Sequence, residues 1–289
     1  GMKVAWVQDL SPWTELGGAQ LTDKAHIIAG IKRSHNIEVI LPGTVPVFDE
    51  WADLIVVSNA TMFPIQMFRN FTKPCVFFIH DYWPLCKWRL YYPMLDRCRT
   101  CYPSQDWRPI LRRSQLIIWL SPLHRESWLF SIPELKQHAY ALVPSPVSPD
   151  EFYDMKLERK GAIAVDSGID FKGKERFIEW CVEHKDTPVT LVGPGDNLPP
   201  NVTRIEYVPY TKLNELYNRH EVFVHLPVNP MPFDRTVAEA MLAGCCVIGN
   251  SLVGALSWPE FSQGKEQVKQ LLSESSNNFW KGVEQCVST

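Results

Sequence analysis

The chain has 289 residues, 45% of them hydrophobic and 21% charged, with a formal net charge of -3. That length suits two domains, each large enough to bury a core, while the near-neutral charge excludes the global basic field on which nucleic-acid binding depends. No run resembles a signal peptide or a membrane span of about 20 apolar residues, so a cytoplasmic location with the eight scattered cysteines reduced is expected.

Short apolar runs bounded by turn residues recur at 4–7, 37–41, 54–57, 76–79, 116–120 and 141–143 and predict buried parallel strands. The segment 19–34 has the length and periodicity of a crossover helix, so residues 1–148 are expected to form a doubly wound βαβ domain. Pro144, Pro146 and Pro149 mark a linker, because prolines so spaced continue neither a helix nor a central strand. The alternation restarts with strands at 162–165, 189–192, 204–208, 222–226 and 246–248 and helices at 174–184, 212–219, 235–243 and 265–272. Residues 149–289 are therefore expected as a second, smaller α/β domain. Its last helix, about 277–287, carries Phe279, Trp280, Val283 and Cys286 at helical spacing and is expected to pack back across the domain junction. Open parallel sheets bind ligands beyond the carboxyl ends of their strands, which points to a ligand in the cleft between the domains.

Three motifs carry chemistry. Gly17-Gly18-Ala19-Gln20 opens the first helix, where glycines allow close backbone approach and free amides suit an anion; the bland alternative is an ordinary Gly-Gly turn. His80-Asp81-Tyr82-Trp83 stands at the carboxyl end of the fourth strand, where an imidazole either meets a ligand or caps a loop. The third runs from Met231 through Phe233, Asp234, Arg235, Thr236 and Glu239 to Gly244, a short helix with Gly244 as its stop and Val237, Ala240, Met241 and Ala243 toward the sheet. A carboxylate such as Glu239 beside a pocket accepts two hydrogen bonds at once, which suits paired ribose hydroxyls.

The third motif resembles the signature of retaining glycosyltransferases of GT-B fold, particularly glycosyltransferase family 4, in which Glu-Pro-Phe-Gly is followed by Glu-Ala-Met-Ala-x-Gly-x-Pro-Val-Ile. The resemblance covers most of the chain. Gly17-Gly18 matches the family's early turn, His80-Asp81 its His-Asp pair, residues 144–152 its interdomain segment, Lys172-Gly173 its Lys-Gly pair and Gly193-Pro194-Gly195 its Gly-x-Gly turn. It implies a transferase moving a sugar such as a hexose from a nucleotide diphosphate sugar to a saccharide or lipid-linked acceptor, with retention and without a catalytic metal. By the same resemblance Gly18 approaches the donor diphosphate, Lys172 neutralises it, Glu239 holds the ribose and His80 contacts the transferred sugar. The donor side would comprise Gly17, Gly18, Gly193, Gly195, Phe233, Asp234, Arg235, Thr236 and Glu239. A fixed ammonium and helix-start amides would stabilise the departing diphosphate.

The sequence departs from the pattern at three places. Met231 occupies the position of the family's first glutamate, no arginine stands near Asp166 and Ser167, and Asp234 replaces a glycine, with Arg235 as the expected counter-charge. An alternative reading is a noncatalytic nucleotide-sugar-binding or scaffold protein of the same fold. Cys86, Cys98 and Cys101 form a Cys-x11-Cys-x2-Cys arrangement that offers three ligands to a structural zinc; unpaired thiols in a packed loop are the alternative. Tyr82, Trp83 and Trp88 suit stacking on an acceptor sugar or lipid, or else bury the loop. Arg108, Arg112 and Arg113 suggest at most weak peripheral membrane contact.

Overall fold

The computed structural model describes residues 1–43, 48–86 and 102–288, except the side chains of 48, 49 and 102–105. Contacts divide the chain into two units, Gly1–Pro146 with Glu274–Thr289, and Val147–Ser273. Each is an α/β layer structure around one parallel sheet.

In the first unit, β1 (Lys3–Val7), β2 (Asn36–Ile40), β3 (Leu54–Val57), β4 (Cys75–Phe78), β5 (Leu116–Trp119) and β6 (Tyr140–Leu142) form a sheet in the order β2-β1-β3-β4-β5-β6. All pairings are parallel. Strands β3, β4 and β5 are buried along their whole length, which is why they read as continuous apolar runs rather than alternating ones. Between the strands lie α1 (Gly18–Lys32), α2 (Phe48–Trp51), α3 (Ile65–Arg69), α4 (Tyr102–Arg113) and α5 (Pro122–Ser131). Ser121 caps α5 by accepting the His124 amide, with proline in the first turn. One feature of α1 is unusual for a crossover helix: its buried residues include Gln20, Thr22, Asp23 and His26.

In the second unit, β7 (Ala162–Val165), β8 (Val189–Val192), β9 (Val202–Ile205), β10 (Val222–Val224) and β11 (Cys246–Ile248) form a parallel sheet in the order β11-β10-β7-β8-β9. Its helices are α6 (Lys174–Glu183), α7 (Leu213–Asn218), α8 (Arg235–Ala243) and α9 (Lys265–Ser273). Strand β9 lies two residues earlier than the pattern predicts. It is an edge strand with only partial burial, so the apolar signal does not settle its frame, and pairing with β8 does. On α8 the inward face holds Ala238 and Leu242 with Val237, Ala240 and Ala243, whereas Met241 is only half-buried.

The final helix, α10 (Ser275–Ser288), belongs to the first unit. Trp280 is fully buried and its indole donates to the His26 carbonyl at 2.8 Å. Phe279 stacks on the His26 ring at 4.4 Å, and Arg33 pairs with Glu284 at the surface. A chain segment more than 240 residues away thus completes the cover of α1 and β1.

Candidate functional site

In a doubly wound sheet the connections leave in opposite directions at one point, opening a crevice beyond the strand ends. In the first unit that point lies between β1 and β3. Gln8 follows β1, Ser58 follows β3 and His80 follows β4, and all three are buried. They converge on Asp23 of α1, which is fully buried. His80 Nε2 lies 2.7 Å from Asp23 Oδ1, and Ser58 Oγ and Gln8 Nε2 donate to Asp23 Oδ2 at 2.7 and 2.5 Å. The carboxylate therefore has donors on both oxygens, the arrangement a buried charge requires.

Below His80, the Asp81 carbonyl accepts from His124 Nε2 at 3.0 Å and Trp128 Nε1 at 3.3 Å, and Asp81 Oδ1 accepts the Trp83 amide. Burial pushes the His124 pKa down to about 3, opposed by its bond to Asp81 and assisted by nearby His80. Its Nδ1 accepts the Leu120 amide, so His124 is a neutral brace with its proton on Nε2. Gly17 and Gly18 are exposed at the amino end of α1, which has no side-chain cap and no acidic residue in its first turn.

In the second unit the switch point lies between β7 and β10. Lys172 ends a short 3-10 turn after β7, and Gly173 follows with φ of 94°. A Cβ on Gly173 would meet the Leu226 carbonyl oxygen at 1.9 Å, so only glycine lets this turn lie against the segment after β10. The Lys172 ammonium lies 3.4 Å from Asp166, so the expected diphosphate-neutralising charge shares its site with a carboxylate. Gly193, after β8, has φ of 104°, and a Cβ there would strike Asp166 Oδ1. Gly195 packs closely on Leu191.

Asp234 precedes α8 with φ of 72° and makes no side-chain cap. Its Oδ2 instead pairs with His225 Nε2 at 2.8 Å. The expected counter-charge for Asp234 is Arg235; the structure gives Asp234 a hydrogen-bonding partner in His225 instead, and turns Arg235 toward Tyr210 and Glu239. The amino end of α8 is thus left without a side-chain cap. Ser167 Oγ and His225 Nδ1, buried after β7 and β10, have no hydrogen-bond partner among the described residues. Both residues stand at the carboxyl ends of the strands that flank the switch point, where sheets of this kind bind their ligands.

Glu239 is only 2% exposed. The Tyr210 and Tyr217 hydroxyls face its two oxygens at 3.4 Å each, and Arg235 Nε lies 3.7 Å away. Burial pushes the Glu239 pKa up to about 7, against the pull of Arg235 and the tyrosines. Burial likewise raises Tyr210 to about 12 and Tyr217 well above the usual phenol value. A cavity of about 320 Å³ adjoins Tyr210, lined also by Glu151, Phe152, Lys212 and Glu215. The carboxylate expected at an open pocket is thus enclosed, and Tyr210, which contacts it, also lines that cavity.

Other expected residues sit elsewhere. Phe233 is a core residue packed on Phe261, Thr236 is half-buried at the start of α8, and Met231 makes a strand-like bridge to Val253. Tyr82 and Trp83 are each 3% exposed, and Trp83 packs edge-on against Trp107 at 4.8 Å. These rings belong to the buried core of the first unit and offer no open face to an acceptor. Trp88, Cys98 and Cys101 lie outside the described residues; Cys86 is buried, and no metal-binding group of three or more His, Cys, Asp or Glu occurs among the described residues. Arg108, Arg112 and Arg113 are engaged with Ser131, Glu134 and the carbonyls of Phe68 and Arg69. No helix is long and apolar enough to cross a membrane among the described residues.

Asp23, Ser58, Tyr210, Tyr217 and His225 were not anticipated. The signal for Asp23 was present: Gln20, Asp23 and His26 recur every three residues on a helix whose inward face should be apolar.

No protein-family model matches the chain, and no curated protein matches it. Solved structures do. Sucrose-phosphate synthase from Thermosynechococcus elongatus is similar over 100% of this chain and 94% of that chain, at 15% identity and a TM-score of 0.69. The catalytic domain of starch synthase IV from Arabidopsis thaliana, bound to ADP and acarbose, aligns over 100% of both chains at 10% identity and a TM-score of 0.67. Anabaena HepE in complex with UDP and glucose aligns over 100% and 99% at 14% identity and a TM-score of 0.59. At such identities the likeness establishes the fold, which is GT-B, with two Rossmann-like α/β domains.

Proposed function

We propose that this protein is a glycosyltransferase that moves a sugar from a nucleotide diphosphate sugar to a saccharide or lipid-linked acceptor, with retention as the family 4 resemblance implies. The observation that carries the proposal is the second unit's switch point. There Lys172, the uncapped amino end of α8 and two orphaned polar atoms, Ser167 Oγ and His225 Nδ1, occur together. Helix-start amides and a lysine attract a diphosphate and stabilise it as a leaving group, because its charge grows as the sugar departs. The UDP and ADP named with the HepE and starch synthase structures support a nucleotide as the ligand.

In this proposal Gly18 and Gly193 bring backbone close to the donor, Lys172 balances Asp166 and the diphosphate together, and His80 meets a hydroxyl of the transferred sugar. Ribose binding by Glu239 requires a neighbouring side chain to move, since the carboxylate is enclosed. Calorimetric titration with UDP-, GDP- and ADP-sugars tests the donor site, and release of free sugar tests turnover. Binding without turnover by any donor and acceptor would leave a nucleotide-sugar-binding protein instead.

A further inference from the structure

We propose that Asp23 is a positioning residue for His80, holding the imidazole with its Nε2 proton toward α1 and offering Nδ1 to a sugar hydroxyl. The sugar as ligand rests on the glycosyl-transfer proposal above; the tautomer rests on the hydrogen bonds alone.

The chain of constraint begins at a group that cannot reverse. The Asp9 backbone amide donates to Gln8 Oε1 at 2.9 Å, and an amide N–H only donates. Gln8 is thereby held with its Oε1 toward Asp9 and its Nε2 toward Asp23, to which it donates. Ser58 Oγ donates to the same Asp23 oxygen. The carboxylate meets donors only: Gln8 Nε2 and Ser58 Oγ donate to Oδ2, and Oδ1 is left to accept from His80. His80 Nε2, 2.7 Å from Asp23 Oδ1, therefore carries a proton. Nδ1 makes no hydrogen bond with any described residue, and the side chain remains 5% exposed beyond the carboxyl end of β4. With the proton on Nε2 alone, Nδ1 accepts a hydroxyl proton, which suits a saccharide. An aspartate that fixes a histidine tautomer in this way governs the function of the other nitrogen.

The arrangement makes Asp23→Asn informative. Gln8 and Ser58 still donate to the position of Oδ2, so the Asn oxygen must stay there and its NH2 group faces His80. Nε2 then becomes an acceptor and the proton moves to Nδ1. Long-range proton–nitrogen correlation spectra of the full chain should show His80 protonated at Nε2 in wild type and at Nδ1 in Asp23→Asn. The variant should lose about tenfold in kcat while nucleotide affinity is unchanged, since Nδ1 turns from acceptor to donor toward the hydroxyl of the reacting sugar. Asp53→Ala, which removes an acceptor for the Lys3 amide at the opposite end of the sheet, controls for plain destabilisation. His80→Asn, whose amide reaches the Nδ1 position, should retain more activity than His80→Gln, whose amide reaches Nε2. A wild-type His80 protonated at Nδ1 alone, wild-type turnover by Asp23→Asn, or better activity in His80→Gln would each overturn the proposal. If no nucleotide sugar is turned over, the glycosyl-transfer proposal falls, and the spectra still decide the tautomer.

Discussion

Replacing Glu239 by glutamine removes an ionisable group without changing its shape. In the folded protein burial raises the Glu239 pKa from 4.5 to about 7. The fold therefore favours the protonated carboxyl, so this stabilisation is complete below the unfolded pKa and is lost as the pH rises through about 7. A displacement of that size corresponds to about 3 kcal/mol. Arg235 and the two tyrosine hydroxyls already reduce the displacement, so the value reflects what burial costs beyond their help. Relative to Glu239→Gln, the wild type should lose about 3 kcal/mol between about pH 4.5 and about pH 8. Urea unfolding of both proteins across that range measures the difference, and hydrogen exchange of the α8 amides assigns it to the second unit. Parallel stability curves for the two proteins would refute the reasoning. The same titration reaches function: ribose hydroxyls donate to the ionised carboxylate, so nucleotide affinity should rise with pH across 7 in wild type and stay flat in Glu239→Gln.

Lys172→Ala should weaken binding of a nucleoside diphosphate about tenfold, the scale of one charge-assisted hydrogen bond, and leave the nucleoside alone unaffected by calorimetry. Gly173→Ala forces a Cβ to within 1.9 Å of the Leu226 oxygen at a positive φ, and should lower stability by at least about 2 kcal/mol in thermal unfolding while impairing nucleotide binding. Trp280→Ala removes a fully buried ring and the bond to the His26 carbonyl, and should destabilise the first unit by about 3–5 kcal/mol in urea. His124 has a folded pKa depressed to about 3, so its contribution holds above the unfolded value and is lost as pH falls toward 3; His124→Gln should flatten the acid limb of the stability curve of the first unit.

The parallel strands were legible because burial on both faces leaves unbroken apolar runs such as Leu54–Val57 and Leu116–Trp119. The helix Arg235–Ala243 was legible from its Gly244 stop, which adopts φ of 102°. The frame of strand β9 was not, because an edge strand mixes exposed and buried positions and its neighbour sets its register. The same division holds at the sites. Motif residues such as His80, Lys172 and Gly193 announce themselves by place after a strand. Their partners do not: Asp23 lies 57 positions from His80, and Tyr210 lies 29 positions from Glu239. Only tertiary contact reveals that one carboxylate meets an imidazole and that tyrosine hydroxyls reach another. Tyr82 and Trp83 show the converse, since aromatic rings beside a histidine look the same in sequence whether they line a site or fill a core.

Titration of the wild-type protein with UDP-, GDP- and ADP-sugars, with Lys172→Ala in parallel and release of free sugar as a second readout, tests the central claim most directly. The expected result is saturable binding of at least one nucleotide sugar, weakened in Lys172→Ala, together with slow release of its sugar. No binding of any nucleotide, or binding that Lys172→Ala leaves unchanged, would contradict the assignment of the donor site to the carboxyl ends of β7 and β10.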